Sequence, residues 1–231
     1  MKKLFRFGLL LAAFLTLSLT SCNNNNNPEE EEFPGKWTSA VEYYNSFGSF
    51  VTRTGSEFNY RLENPQEGWH KTVAEGQFGW SWYDATKETI FTGFKATASA
   101  SEGDSGCGFI FNWSKKVNPD EETNYLYSYY SLIISGNSIL VSQCIDGVKS
   151  AITDEWETCS SLLPEPGQNT ITVYTDDDGS IIIDINGEVA KTIRNPQLKK
   201  GSVGIIICCG NEDQVANKTI TTNFKFLKFQ H

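Results

Sequence analysis

The chain has 231 residues, with 19 Lys and Arg against 28 Asp and Glu and a formal net charge of −9. An acidic chain with no basic cluster excludes nucleic acid and anionic lipid surfaces as charge-matched partners. The length allows one large domain or two small ones.

Residues 1–22 start with Lys2, Lys3 and Arg6 and run into the apolar stretch GLLLAAFLTLSL. That stretch is shorter than the about 20 apolar residues a spanning helix needs, and the basic-apolar-small order reads as a secretory signal. It ends on Leu19-Thr20-Ser21-Cys22, which resembles the bacterial lipobox. The resemblance implies cleavage before Cys22, lipidation of that cysteine, and a membrane partnership through the lipid at the bacterial outer membrane or cell surface. Residues 23–35, NNNNNPEEEEFPG, are polar and then acidic, so they predict a disordered tether with no core of its own. The folded domain is expected over 36–231.

From Lys36 onward the helical period hardly appears. Short β-branched and aromatic runs recur between turn residues. In ETIFTGFKATASA, alternation puts Ile90, Phe94, Ala96 and Ala98 on one face; in SGCGFIFNWS it groups Cys107, Phe109, Phe111 and Trp113. Then come YLYSYYSLIIS, SILVSQCI, NTITVYT, SIIIDI, EVAKTI, SVGIIICC and NFKFLKF, with turns at SGNS, Asp146-Gly147, DDDG and Asn186-Gly187. EWETCSSLL is the one stretch that fits a short helix. Many short strands between turn signals predict an all-β fold, a two-sheet antiparallel sandwich. Beyond Cys22, the cysteines 107, 144, 159, 208 and 209 are odd in number and lack metal-site spacing; one disulfide is allowed, with no connectivity readable.

The order GCGFIFNW, YYSLIISGNSILVSQCIDG, NTITVYTDDDGSIIIDINGEVAKTI, LKKGSVGIIIC and TNFKFLKF resembles the concanavalin A-like jelly rolls. It is closest to their laminin-G-like and keto-disaccharide-hydrolase-type members, through Asn169, Gly179, Asn186, Gly187, Gly201 and Gly204. The resemblance covers Gly106 to Phe229 and implies a jelly-roll sandwich with a sugar-related function.

The stretch TVYTDDDGSIIIDINGEV invites two chemical readings. As an EF-hand with Gly179 as the loop glycine, Tyr174 takes the first ligand position and Ile185 the last, and both are wrong. The laminin-G resemblance leaves a rim calcium at Asp176, Asp177 and Asp178 against the alternative of a solvated turn. The related glucanases carry glutamates flanking an aspartate on one strand; here Asp184 has Ile182 where the first glutamate belongs, so the pair is broken. Glu155 and Glu157 share a face in DEWET with nothing to fix them as a pair. A Ser-His-Asp system would rest on His70 alone, since His231 is the last residue.

Aromatic residues carry the remaining signal. In YLYSYYSLIIS, Tyr130, Leu132 and Ile134 are expected in the core, and Tyr125, Tyr127 and Tyr129 on a wet opposite face. Trp80 and Trp82 share a face with Phe78 in GQFGWSWYD. Such rings suit the apolar face of a sugar, though strands also favour aromatics for packing. The sequence therefore favours a non-catalytic carbohydrate- or glycoprotein-binding lipoprotein, with Tyr125, Tyr127, Tyr129, Trp80 and Trp82 as ligand-binding residues. No cofactor beyond the rim calcium is expected. The alternatives are a glycoside or keto-disaccharide hydrolase, and an adhesive envelope protein with a protein partner.

Overall fold

Alternating apolar and polar residues build strands throughout. The structure, a computed structural model, describes residues 36–42, 48–63, 78–84, 91–100, 105–164, 167–209 and 219–231, all within the unit Phe33–His231. The signal and tether assigned to 1–22 and 23–35, and with them Cys22, lie outside the described residues. The strands are β1 (Lys36–Glu42), β2 (Gly48–Thr54), β3 (Glu57–Glu63), β4 (Phe78–Asp84), β5 (Gly93–Ala100), β6 (Ser105–Asn118), β7 (Glu121–Ser135) and β8 (Ser138–Ile145). They continue with β9 (Val148–Ala151), β10 (Glu157–Thr158), β11 (Asn169–Thr175), β12 (Ile181–Ile185), β13 (Glu188–Ile193), β14 (Ser202–Cys209) and β15 (Thr219–Gln230). The expected EWETCSSLL helix is absent: β10 and a turn occupy that stretch.

The larger sheet runs β1-β4-β14-β6-β7-β8-β10, with β9 also pairing β8. The smaller runs β13-β12-β11-β5-β15-β3-β2. The described strands form the two antiparallel sheets of a jelly-roll sandwich, as expected.

The core lies between the sheets. Phe94, Ala96 and Ala98 of β5, Phe109 and Phe111 of β6, Ile181, Ile183 and Ile185 of β12, and Phe224 and Phe226 of β15 are all buried there. Across the β5–β15 ladder Ala96 faces Phe226 and Ala98 faces Phe224, so a small side chain makes room for each ring. Phe109 from the opposite sheet meets both rings edge-on, with centroids 5.5 and 5.6 Å away. Full burial of each ring contributes roughly 1.5–3 kcal/mol. Cys107, Cys144 and Cys159 are buried and not disulfide-bonded. The side chains of Cys208 and Cys209 fall outside the described residues.

Simple alternation misplaces Trp113. Asn112 takes a φ of 53°, and the β6–β7 register slips between Phe111↔Tyr130 and Ser114↔Ser128, so Asn112 and Trp113 together oppose Tyr129. This bulge turns Trp113 away from the core shared by Cys107, Phe109 and Phe111. It joins Ile110, Tyr129, Ile133, Cys144 and Ile206 in a second cluster on the other side of the larger sheet. Asn112 itself donates Nδ2 to Leu198 O at 2.9 Å. The buried Tyr130 hydroxyl accepts the Gln197 and Leu198 N–H groups at 2.9 and 3.3 Å. Together they fasten the β13–β14 connection over one end of the sandwich.

Candidate functional site

The outer side of the larger sheet carries the aromatic residues. β6 and β7 are long strands joined by a hairpin. β14 pairs with β6 only as far as Trp113, and β8 pairs with β7 only from Tyr129 onward. Beyond those points Ser114–Asn118 and Glu121–Tyr127 run on as a two-stranded arm, met at its root by the β8–β9 turn, where Gly147 donates its N–H to Tyr127 O at 2.8 Å. On one face of this arm Lys115 pairs with Tyr127 and Val117 with Tyr125. Tyr125 is 44% exposed and Tyr127 37%. Trp113, buried at the root of the arm, holds its ring 6.0 Å from that of Tyr127 at an interplanar angle of 31°. The Lys115 ammonium sits 5.1 Å from the Tyr125 ring centroid, a cation–π contact.

The expected wet row is therefore shorter than alternation implies. Tyr129 shares the face of Tyr125 and Tyr127 but is only 5% exposed. The reason is the second cluster: Trp113, swung over by the bulge, and Ile110, Ile133 and Cys144 surround it. In β4, Trp82 pairs with Gly204 and Trp80 with Ile206. Paired residues share a face, so positions 80 and 82 fall on the Ile206 side of the sheet, the side of Trp113 and Tyr127. The two aromatic runs chosen separately from the sequence thus occupy one side of one sheet. The side chains of Trp80 and Trp82 are outside the described residues, as is His70.

Charge on the arm is locally matched. Lys116, on the opposite face, reaches Asp146 Oδ2 at 2.7 Å, and Ser128 Oγ donates to Asp146 Oδ1 at 3.3 Å. The Lys116 hydrogen bond holds the Asp146 carboxyl below its ordinary value.

The aspartate turn closes on itself. Asp176 Oδ1 accepts the N–H groups of Asp178 (3.1 Å) and Ser180 (2.9 Å), and Asp178 Oδ1 accepts Ser180 N–H at 2.8 Å. Gly179 stands at φ 84° and donates its N–H to Asp176 O at 3.0 Å, which makes a three-residue hairpin loop with glycine in the left-handed position. The Ser180 hydrogen bond lowers the Asp178 pKa. One oxygen of Asp176 and one of Asp178 are thus engaged by the backbone of their own loop, and no three His, Cys, Asp or Glu groups gather as a metal site among the described residues. Further on, Asp184 Oδ1 accepts Gly187 N–H at 2.9 Å, so this carboxylate braces the Asn186-Gly187 turn. Glu157 takes Lys191 Nζ at 2.7 and 3.0 Å and is an ion-pair partner. No described strand carries two carboxylates at alternate positions, the arrangement that would set an acid and a nucleophile on one face.

Sequence reasoning missed a groove of about 300 Å³ on the outer side of the smaller sheet. Asn59 Nδ2 donates to Asn223 Oδ1 at 2.8 Å, Lys225 Nζ meets Glu57 Oε1 at 2.8 Å, and Gln168 lines its flank. The only sequence signal was the polar half of the alternation in EFNYRLE and TTNFKFLK; the pairing across more than 160 residues was not legible.

No protein-family model and no curated protein matches the sequence. Among solved structures the chain is similar to the Bacillus licheniformis β-glucanase, with a TM-score of 0.55 and 11% identity over 87% of this chain and 96% of that one. It is similar to a prokaryotic β-1,3-1,4-glucanase (lichenase) derived from a mouse hindgut metagenome, with a TM-score of 0.56 and 7% identity over 84% and 92%. It is also similar to the laminarinase from Flavobacterium sp. UMI-01, with a TM-score of 0.55 and 12% identity over 87% and 98%. At these identities the likeness is one of fold: the chain has the jelly-roll architecture of these glucanases.

Proposed function

We propose that this domain binds carbohydrate through the aromatic side of its larger sheet and is held at the bacterial envelope by a lipid on Cys22. One observation carries the binding reading: Tyr125 and Tyr127 stand exposed at alternate positions of one strand, on an arm whose root is packed by the buried Trp113 and Tyr129. Exposed rings with a polar hydroxyl suit the apolar face and the hydroxyls of a sugar. The jelly-roll fold, which the similar glucanases use to act on glycans, supports the same ligand class. A glycan array tests it: selective signals that weaken in Tyr127→Ala at unchanged melting temperature are expected, and an array silent with folded wild-type protein overturns it. The anchor rests on the LTSC sequence. More than one acyl chain gives stable membrane attachment, each buried methylene contributing about 0.8 kcal/mol. Metabolic labelling with a tagged fatty acid should mark the wild type and spare Cys22→Ala; equal labelling sinks the anchor.

The fold of the similar structures favours a second reading, hydrolysis of a β-glucan. It needs an acid and a nucleophile or base about 5–9.5 Å apart. No single described strand carries such a pair at alternate positions, so its two members would come from different strands or from loops. Release of reducing ends from mixed-linkage β-glucan or laminarin by the purified protein would establish it in place of simple binding.

A further inference from the structure

The arm fixes how many sugar units a ligand would engage. Tyr127 and Tyr125 are alternate residues of one strand, so their positions lie about 6.4–6.8 Å apart along it at 3.2–3.4 Å per residue. Both are exposed, and Val117, 51% exposed, faces Tyr125 across the arm. The two rings have different partners: Trp113 packs beside Tyr127, and the Lys115 ammonium touches one face of Tyr125, which stays 44% exposed. They are therefore two separate stacking positions in line, not one enlarged surface. The arm grows out of the larger sheet and is tied at its root to the β8–β9 turn by Gly147 N–H to Tyr127 O at 2.8 Å, so the row of exposed rings is presented on a supported ribbon.

The charges decide what that is. Lys116 is engaged by Asp146, Lys115 lies against a ring, and the tip of the arm carries Asp120 and Glu121. The whole chain is acidic, at −9. A polyanionic glycan would meet one cation on this face, Lys115, against the two tip carboxylates and the chain's net negative charge, whereas a neutral one meets rings and hydroxyls without a charge mismatch.

We infer that the ligand is a neutral glycan of at least two consecutive sugar units lying along the β6–β7 arm, one unit on Tyr127 and the next on Tyr125. This rests on the carbohydrate-binding reading and adds footprint and charge to it. The test is an array of neutral glucan, mannan, galactan and xylan series, each as mono-, di- and tetrasaccharide, with uronate and sulfated polymers alongside. Titration of the strongest series against wild type, Tyr125→Ala and Tyr127→Ala follows. Wild type should bind the disaccharide about tenfold tighter than the monosaccharide, a difference of ~1.4 kcal/mol. Tyr125→Ala should abolish that gain and leave monosaccharide binding in place, and Tyr127→Ala should weaken both, with melting temperatures unchanged.

Equal affinity for mono- and disaccharide, or signals confined to the polyanions, would overturn the inference while sparing the binding reading. Silence across the array would remove both. A wild-type dimer in sedimentation that Tyr125→Ala dissociates would assign the arm to a second copy of the chain and overturn the inference as well.

Discussion

Asn186 donates Nδ2 to Asn169 Oδ1 at 2.8 Å, tying the tip of the β12–β13 hairpin to the start of β11. Asn169 is 4% exposed, and its side chain also accepts Leu163 N–H at 2.8 Å and donates to Leu163 O at 3.2 Å. Asn186 in turn donates to Ser161 O at 2.7 Å and accepts Thr170 N–H at 2.8 Å. Two amides thus satisfy the backbone of a long connection that has no ladder to satisfy it.

Replacing Asn169 with Ala should therefore cost about 2–3 kcal/mol, since Leu163 N–H and the Asn186 amide both lose an acceptor. The melting temperature should fall by roughly 4–12 °C for a domain of this size. Asn186→Gly is the informative companion. It keeps the positive φ of the turn, 56° at this position, and removes only the amide. Equal stability of Asn186→Gly and wild type by chemical denaturation would show that backbone conformation alone, and not the amide bridge, is what position 186 supplies.

Tyr127→Ala and Tyr129→Ala should separate binding from folding. The first removes a ring that is 37% exposed and should leave the melting temperature within the error of the measurement. The second empties a site that is 5% exposed among Trp113, Ile133 and Cys144, and should cost about 3 kcal/mol, as large-to-small changes in a packed cluster do. A differential scan in which Tyr127→Ala melts as low as Tyr129→Ala would place Tyr127 in the packing and not on the platform.

Acid should release the Lys116–Asp146 contact. The Asp146 carboxyl is held below its ordinary value of 3.8, first by the Lys116 hydrogen bond. A depressed folded-state value means the contribution is complete above the unfolded value and is lost as pH falls through the folded one. The stability difference between wild type and Asp146→Asn should accordingly be constant above about pH 5 and shrink below about pH 4. The measurement is denaturant unfolding from neutral to strongly acidic buffer, and a difference that is flat across that range contradicts the assignment.

Millimolar calcium should leave the melting temperature unchanged. Asp176 and Asp178 give oxygens to the backbone N–H groups of their own loop. A calcium-dependent rise in melting temperature that disappears in Asp177→Asn would instead establish a rim ion at this turn.

Much of the fold was legible because local chemistry and long-range packing agree. An Asn-Gly pair favours a tight turn with positive φ at both residues, and Asn186-Gly187 has them, at 56° and 91°. In the run SIIIDI, Ile181, Ile183 and Ile185 alternate and share the face buried between the sheets. Trp113 and Tyr129 show where legibility stops. A one-residue bulge at Asn112 reverses the face of everything beyond it on β6, and nothing in GFIFNWS announces a bulge rather than a continuing strand. Once Trp113 had crossed over, Tyr129 was covered, and the expected three-tyrosine row became two. The groove at Asn59 and Asn223 was illegible for a different reason. Its halves lie in β3 and β15, and sequence pattern carries no information on which distant strands become neighbours.

The place of β15 also has a consequence for how the domain is made. This strand, residues 219–230, lies between β5 and β3 and brings Phe224, Phe226 and Phe229 to the core. A chain delivered from its N-terminus presents β2, β3, β5, β11, β12 and β13 before β15 arrives. Until then β3 and β5 have open edges, and the alanines at 96 and 98 have no rings to face. The smaller sheet is therefore closed by β15, and its closure waits until that strand is in place. A chain clipped before residue 219 would leave both of those edges open, and open sheet edges invite aggregation.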